Sequence, residues 1–410
     1  MSKTLLKDCV EILDNRRIPL SSAEREKLDK KYPYYGAQGI IDYVDRYIFD
    51  GEFILVAEDG NNLKSLSENI ATWAVGRFWV NNHAHILGEK PGYCLRYIYY
   101  ILNSLDLRGY ITGSAQPKFN QENLARVELN LPDYNTQCVI AETLTLIDSK
   151  ISNNTSICSE LEAMAKLLYD YWFVQFDFPD ENGKPYKSSG GKMVWNEKVK
   201  REIPAEWEVN RLGDLISYNR GVSYTGNDMC DTGTPIISLA SIDRSGRYIP
   251  EGIKYYNQEY SSSKVLKPYD LVMANTDMTQ ERAVMGKIIF VPDIFEGDIL
   301  STHHITTMTI EDDLKSYLMM TTQTDWFHKY IKGFSSGTNV LGMDMVGFED
   351  YMLLCPSKDI LRQFNGIILG IYAKIFEVYK ENFELASLRD FLLPMLMNGQ
   401  VKVKEDYKNE

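Results

Sequence analysis

This chain of 410 residues lacks the short motifs by which many enzymes bind a nucleotide or a modifying cofactor. There is no Pro-Pro pair, so the Asn/Asp-Pro-Pro-aromatic motif of methyltransferases that modify base amino groups is absent. Neither GxGxxG nor GxxxxGK[ST] occurs, so no phosphate-binding loop is recognisable. These absences predict a protein without a catalytic centre of its own.

Cysteine and histidine are scarce. The six cysteines are scattered without a CxxC pair, which favours reduced core residues over disulfides or zinc ligands. His83 and His85 share one face of a possible strand, but no cysteine or carboxylate accompanies them at ligand spacing. The side chains of His303 and His304 would point to opposite faces of a strand. We therefore predict no metal site and expect ordinary core or surface histidines.

Long apolar runs are also missing. No stretch approaches the ~18 apolar residues that span a bilayer. Asp8, Glu11 and Asp14 occupy the positions where a signal peptide would be apolar, so we expect a cytoplasmic protein. Apolar residues at 44% and charged residues at 25% are typical of globular chains, and the length suits two or three domains.

Positive charge is in deficit. The net charge is −13, and residues 205–355 hold 12 Lys+Arg against 21 Asp+Glu. This balance argues against binding nucleic acid by bulk charge alone. Any such contact in this segment must be local, or helped by a more basic partner.

The strongest positive feature is an internal repeat. Residues 113–172 align with residues 337–396 without a gap at an offset of 224, and the offset falls to about 206 where Leu6-Lys7-Asp8 corresponds to Leu212-Gly213-Asp214. The matching pairs include Gly113 and Gly337, Pro132 and Pro356, Ile147 and Ile371, and Leu168 and Leu392. A fixed offset of this length indicates a duplicated unit. Two copies predict a pseudo-twofold molecule, which suits a two-sided target such as duplex DNA.

Each copy contains a long segment with heptad spacing. Apolar residues recur at alternating steps of four and three, which predicts a coiled-coil seam. The seam residues are Ile140, Leu144, Ile147, Ile151, Leu161 and Leu168 in the first segment, and Phe364, Ile368, Ile371, Ile375, Leu385 and Leu392 in the second. Asn154, Asn382 and Arg389 interrupt the seams, and we expect Arg389 to lie beyond the paired region, near a partner.

The two helices need a partner for their apolar stripes. Pro132 and Pro356 precede them, and Pro394 with Gly399 is expected to end the second. Each has roughly 35 residues and is about 50 Å long. Parallel and antiparallel pairs both fit the pattern, but the chain must cross back between the copies, which favours an antiparallel coiled coil. The alternative is that each helix packs only on its own domain.

Mixed segments precede both helices and predict an α+β fold class. The β-like runs are Glu52–Ala57, Asp270–Ala274, Lys287–Val291 and His304–Met308, and the helical stretches include Cys94–Leu105 and Leu314–Ile331. Trp195 and Trp207 suggest that the Pro, Gly and Ser-rich connector is ordered against a surface. The expected domains are 1–132 and 207–355 (recognition domains), 133–175 and 356–400 (coiled-coil helices), 176–206 (connector) and 401–410 (tail).

The connector and the helix ends carry a family resemblance. The specific pieces are LLYDYWFVQFDFP (167–179), GKPYKSSGGKMV (183–194), IPAEWEVNRLGDL (203–215) and LRDFLLPMLMNGQV (388–401), and YYGAQGIIDYV (34–44) and GSAQPKFN (113–120) also fit. With these pieces the chain resembles the DNA-specificity subunit of type I restriction–modification systems over nearly its whole length.

The resemblance implies a division of labour. Each α+β domain would read one half of a bipartite DNA site, and the antiparallel coiled coil would set the spacer and dock two modification (methyltransferase) subunits. Restriction subunits with ATP-driven translocation would complete the complex. The specificity subunit would bind no cofactor, whereas its partners would use S-adenosylmethionine, ATP and Mg. The acidic second domain fits poorly with strong phosphate binding, which suggests that the methyltransferases make many of the contacts that hold the DNA.

Loops rich in base-reading and phosphate-binding residue types are the candidate DNA contacts. The candidates are Tyr35, Gln38, Asn61, Asn62, Lys64, Ser114, Gln116 and Lys118 in the first domain, and Thr276, Gln280, Arg282, Ser335, Ser336, Thr338 and Asn339 in the second. The loops ending at Lys118 and containing Thr338 are expected to be equivalent, because the offset of 224 relates them. The competing interpretations are a stand-alone DNA methyltransferase or nuclease with built-in recognition domains, and a coiled-coil adaptor without a DNA role.

Overall fold

The structure is a computed structural model that describes residues 2–60, 63, 69–113, 117–401 and 403. The chain divides into two compact units, and the division runs through both long helices. The first unit comprises residues 1–151 and 384–410, and the second comprises residues 152–383.

The first unit consists of strands, short helices and one part of each of the two long helices. Its strands are β1 (Ser2–Leu5), β2 (Glu11–Ile12), β3 (Tyr32–Gly36), β4 (Gly39–Val44), β5 (Phe49–Ala57), β6 (Ala71–Val80), β7 (Ala84–Gly88) and β8 (Glu128–Leu131). Its helices are α1 (Leu6–Cys9), α2 (Ser22–Arg25), α3 (Leu95–Ser104), α4 (Gln121–Ala125), the start of α5 (Tyr134–Tyr169) and the C-terminal part of α9 (Lys358–Met397). The sheet order is β2-β7-β5-β6-β3-β4, and β1 pairs with β8.

The second unit has more and shorter strands. They are β9 (Met193–Asn196), β10 (Arg201–Pro204), β11 (Glu208–Arg211), β12 (Ser217–Arg220), β13 (Met229–Cys230), β14 (Thr234–Ile237), β15 (Lys254–Tyr256), β16 (Leu271–Ala274), β17 (Thr276–Asp277), β18 (Ile288–Phe290), β19 (Leu300–Ser301), β20 (Ile305–Thr309), β21 (Ser335–Ser336), β22 (Leu341–Met343) and β23 (Met352–Cys355). A π-helical turn, Asp170–Val174, follows α5, and the other helices are α6 (Lys315–Thr322), α7 (Asp325–Lys332), α8 (Met345–Glu349) and α9 (Lys358–Met397).

Short 3-10 turns complete both units. They are Asp14–Arg16 and Arg108–Tyr110 in the first unit, and Leu212–Asp214, Gly226–Asp228, Leu239–Ser241, Pro250–Gly252, Ser262–Lys264 and Asp312–Leu314 in the second.

The second unit repeats the strand order of the first. Its sheets are β12-β20-β16-β18 and β19-β14-β15-β13, so β6 of the first unit corresponds to the two strands β18 and β19. The register is repeated as well. Ala57, the last residue of β5, pairs with Ala84, the first of β7, and Ala274, the last of β16, pairs with Ile305, the first of β20.

The two offsets found in the sequence belong to one strand pair in each unit. Ser2 of β1 pairs with Leu131 of β8, and Glu208 of β11 pairs with Cys355 of β23. The first strands are 206 residues apart in the chain and the second strands 224. Each of these pairs leads directly into its long helix, which explains why the repeat is tight there.

The long helices pack against each other within each unit. In the second unit Cys158 lies against the backbone of Ile375 and Asn154 bonds Asn382, so the pair is antiparallel. In the first unit Ile140 and Leu144 share the core with Leu392, Leu396 and other residues of the C-terminal part of α9. Every seam residue is buried or half-buried: Ile140, Leu144, Ile147, Ile151, Leu161, Leu168, Phe364, Ile368, Ile371, Ile375, Leu385 and Leu392. The α+β fold with two paired long helices is thus confirmed.

Arg389 does not lie beyond the paired region, so that expectation is wrong. Its Nη1 donates to Asp148 Oδ1 of α5 at 3.0 Å, and Asp148 also accepts from the Tyr100 hydroxyl at 2.5 Å. Asp148 on the facing helix therefore supplies the counter-charge for Arg389, at a position where the heptad pattern predicts an apolar residue.

Asn154 forms a polar layer between the helices of the second unit. Its side chain is buried, and Nδ2 donates to Asn382 Oδ1 at 2.9 Å and to Glu381 Oε2 at 2.8 Å. A buried amide in a coiled-coil seam fixes the register, because a shifted pairing would bury it without partners.

Three details differ from the sequence expectations. Pro394 lies inside the last turn of α9 and the chain turns at Gly399 (φ 69°), since a proline near the end of a helix costs only one backbone hydrogen bond. The stretch 314–331 forms two helices, because Thr324 is extended and caps α7. Trp207, directly after the connector, is buried against Phe178 and other aromatic rings, whereas Trp195 within the connector is 58% exposed.

Within the described residues, no helix is long and apolar enough to span a membrane.

Replacing Asn154 with alanine should destabilise the helix pair. The change removes a donor from Asn382 and from Glu381 inside the seam, so we expect a loss of about 1–3 kcal/mol in the free energy of unfolding. The measurement is urea unfolding followed by circular dichroism. Asn153→Ala is the matched control, because Asn153 is an exposed neighbour on the same helix. Equal midpoints for the two variants would contradict this role.

Candidate nucleic-acid interface

The candidate residues of the second unit come together although they are far apart in the chain. Strand β17 pairs with β22, and β22 pairs with β21. Gln280 Nε2 donates to the carbonyl oxygen of Thr338 at 3.0 Å, which ties the two loops side by side. We call this the second candidate surface; it consists of Thr276, Gln280, Arg282, Ser335, Ser336, Thr338 and Asn339.

Asp277 shapes the loop that carries part of this surface. Its carboxylate is almost fully buried and accepts from the backbone N–H and the hydroxyl of Thr279, at 2.7 and 2.8 Å. The second oxygen accepts from Val284 N at 2.8 Å. Charge-assisted bonds of this kind hold a loop in one conformation. The sequence signal is an aspartate two residues before Thr279, a spacing typical of an Asx turn, and Asp277 is not among the residues chosen from the sequence.

Arg282 connects the two loops of the second candidate surface. It has a left-handed backbone (φ 55°), it is half-buried, and its Nη1 donates to the carbonyl oxygen of Lys332 at 2.8 Å. Nearby, Arg244 is paired with Glu281 at 2.9 Å. These contacts place both guanidinium groups in the protein's own hydrogen-bond network, which fits the acidic balance of this segment.

His303 and His304 lie in a turn before β20 and not on a strand, so the expectation of opposed side chains is wrong. Their rings are 4.0 Å apart between centroids, with Tyr224 at 5.4 Å from His303. Burial, with the neighbouring His303, lowers the pKa of His304 below its usual 6.5. Among the described residues, no group of three or more His, Cys, Asp or Glu could hold a metal ion.

In the first unit the described candidates differ in exposure. The ring of Tyr35 packs edge-on against Phe78 in the core, and burial raises the pKa of its hydroxyl. Gln38 is exposed in the turn between β3 and β4, and Lys118 is exposed. The other candidates, Asn61, Asn62, Lys64, Ser114 and Gln116, lie outside the described residues.

Lys118 and the second candidate surface occupy matching places. Lys118 forms β-bridges to Asp59 and to Thr112. Its counterpart at the offset of 224 is Gly342 of β22, which pairs with β17 on one side and β21 on the other. The loops that the repeat equates therefore have the same backbone pairing in both units.

One serine lies in the GxSxG pattern that is typical of hydrolases. Residues 333–337 read GFSSG, but Ser335 lies on strand β21 and its hydroxyl donates to the carbonyl oxygen of Lys332 at 2.9 Å. A nucleophile elbow places its serine on a sharp turn between a strand and a helix, next to a base. The surroundings of Ser335 do not have that form.

The comparison with protein families agrees with this architecture. The family model described as type I restriction modification DNA specificity domain matches residues 2–163. Residues 2–163 are a type I restriction–modification DNA specificity domain. The resemblance noted in the sequence is thereby confirmed, and this specificity domain contains β1 to β8 and most of α5.

Specificity subunits are also similar to the chain beyond this domain. The type I restriction enzyme MjaIX specificity subunit of Methanocaldococcus jannaschii is 23% identical over 327 residues, which cover 77% of this chain and 71% of that protein. The putative specificity subunit S.HindORF215P of Haemophilus influenzae is 33% identical over 147 residues, 36% of this chain and 37% of that protein.

A solved structure extends the likeness of fold beyond the specificity domain. The S subunit of a type I restriction–modification system from M. genitalium aligns with a TM-score of 0.58 at 15% identity, over 96% of this chain and 95% of that one. At this identity the likeness shows the fold alone.

Asp277→Ala should release the loop that carries Gln280 and Arg282. Three hydrogen bonds to a buried carboxylate are lost, so we expect a loss of about 2–4 kcal/mol in stability and weaker DNA binding. Thermal unfolding and fluorescence anisotropy with duplex DNA measure the two effects. The exposed Asp231→Ala is the control. Full stability in the Asp277 variant would show that the carboxylate does not order the loop.

Proposed function

We propose that this chain is the non-catalytic DNA-reading subunit of a type I restriction–modification complex. The α+β domain of each unit reads one half of a bipartite site on double-stranded DNA. The observation that carries the proposal is the repeated register: two domains share one strand order, and Lys118 in the first has the same backbone pairing as Gly342 in the second. A duplicated reader suits a target with two halves.

The paired helices set the length of the non-specific spacer in this proposal. Helix α5 has 36 residues and α9 has 40. Helices of that size are roughly 55–60 Å long, or about 16 base pairs of DNA at ~3.4 Å each. The register imposed by Asn154 supports a spacer of fixed length.

Two modification subunits dock on the helices, and restriction subunits complete the complex. Support for a docking role comes from apolar side chains on α5 and α9 that remain exposed, among them Leu167 (68%) and Phe391 (60%). The chain itself binds no cofactor; S-adenosylmethionine, ATP and Mg act in the partner subunits. The protein works in the cytoplasm.

Adding one heptad to each helix should lengthen the spacer and leave both half-sequences unchanged. Seven residues inserted after Ile151 and after Phe383 keep the seam in phase and add about 10 Å, which corresponds to roughly three base pairs. The measurement is genome-wide mapping of methylated adenines in a strain that expresses the chain with its methyltransferase. An unchanged spacer would contradict the ruler role.

Two controls accompany that experiment. Deletion of the gene should abolish the two-part motif, and a heptad in only one helix should abolish methylation because the seams no longer match. A motif that persists after deletion would refute the proposed function.

The alternative is a stand-alone DNA methyltransferase or nuclease. It requires that the isolated chain bind S-adenosylmethionine or cleave DNA. We expect no binding by isothermal titration calorimetry, with the assembled methyltransferase complex as the positive control. Binding by the isolated chain would favour the alternative.

A further inference from the structure

Two histidines occupy the same place in the two units. In the first unit the turn before β7 brings the carbonyl oxygen of His83 to Glu58 N, at 2.9 Å. In the second unit the turn before β20 brings the carbonyl oxygen of His304 to Asn275 N, at 3.0 Å. Each bond is one step beyond the last residue pair of the matching strands, so the repeated register itself equates the two histidines.

The side chains are held in the same way. His83 Nδ1 is 2.7 Å from Asp59 Oδ2, and His304 Nδ1 is 2.9 Å from Thr276 Oγ1. Asp59 and Thr276 are themselves equivalent, because each follows the residue whose backbone N–H donates that bond, Glu58 or Asn275. Both rings are therefore fixed through Nδ1, with Nε2 on the opposite edge. No described residue forms a hydrogen bond with Nε2 of either ring.

Both rings stand beside the candidate DNA-contacting loops. Asp59 is bridged to Lys118, and Thr276 is paired with Gly342 of β22. The side chain of His83 is 51% exposed, and His304 is half-buried. Each turn thus holds an oriented imidazole against a residue, Asp59 or Thr276, whose backbone is paired with one of the equivalent positions Lys118 and Gly342.

We propose that His83 and His304 are equivalent base-reading residues, one for each half of the DNA site. The inference rests on the proposed function. An imidazole nitrogen accepts a hydrogen bond when it carries no proton and donates when it does. Amino groups of adenine and cytosine offer donors in the major groove, and guanine N7 and O6 offer acceptors.

A role in packing alone explains His83 and His304 less well than base reading does. The residue that holds the ring is a carboxylate in one unit and a hydroxyl in the other, so the contact chemistry changed while the histidine and its orientation stayed. A ring kept only for packing would be buried in both units, but His83 is half exposed. The retained feature is the free edge of each ring.

The test uses the full chain assembled with its methyltransferase. His83→Ala and His304→Ala are made singly, with His83→Gln and His304→Gln as variants that keep a hydrogen-bonding group. The exposed Asn82→Ala, in the same turn as His83, is the control. Binding is measured on a duplex with the motif mapped for the parent complex, and on duplexes altered one base pair at a time in each half.

We expect each alanine variant to bind its motif about tenfold to a hundredfold more weakly, the effect of one lost base contact. His83→Ala should lose discrimination at positions in one half only, and His304→Ala in the other half only, with the salt dependence unchanged. Asn82→Ala should behave as the parent does.

Other outcomes overturn the assignment. Uniform weakening with a shallower salt slope would mean phosphate contacts and no base reading. Unchanged affinity together with unchanged discrimination would exclude both roles. If the alanine variants fail to fold, His83→Phe and His304→Phe decide, because phenylalanine keeps a ring without nitrogen atoms: discrimination equal to the parent's in these variants refutes the proposal. A parent complex without a two-part motif would refute the proposed function instead.

Discussion

The structure depends on the burial of one long helix's apolar stripe against the other's. The core of the first unit includes Leu396 and Met397, which come from the far end of the chain, together with Ile140 and Leu144. The second unit likewise buries Cys158 with Ile375 and Phe376. Neither copy of the repeat has a complete core of its own. Each domain is completed by the long helix of the other copy. The stability of the domains therefore depends on the duplication and on the pairing of the two helices.

Sequence reasoning succeeded where the physics is local or strictly periodic. The heptad seam and the β-rich runs follow from the spacing of nearby residues, and the offsets of 206 and 224 follow from aligning the chain with itself. The structure has all of these features. It failed where a long-range contact decides. The residues next to Arg389 in the sequence do not predict its ion pair with Asp148. Those next to Gln280 do not predict its hydrogen bond to the carbonyl oxygen of Thr338. Composition identifies the candidate loops, but it does not show which of them lie side by side. The pairing of β17, β22 and β21 in the structure shows this for the second unit.

Charge limits how the second unit can contact DNA. Its domain has an excess of acidic residues. Arg282 of the second candidate surface donates to the carbonyl group of Lys332, and the nearby Arg244 is paired with Glu281. Phosphate contacts made by this surface alone would be few, so its contribution rests on neutral hydrogen-bonding groups such as Thr276 and Gln280. Sequence information is carried by such groups, whereas affinity comes from phosphate neutralisation, which a more basic partner can supply.

The equivalent histidines show how one frame can serve two different half-sites. The Asp59 carboxylate only accepts, so Nδ1 of His83 carries a proton and a neutral ring presents Nε2 as an acceptor. The Thr276 hydroxyl can donate as well, which also allows the tautomer with the proton on Nε2 of His304, and the lowered pKa keeps that ring neutral near pH 7. The residue that contacts Nδ1, Asp59 or Thr276, thus determines whether Nε2 of the histidine accepts or donates a hydrogen bond. A duplicated scaffold can diverge in this way without moving its backbone, because the difference lies in one proton's position and the strand register stays intact.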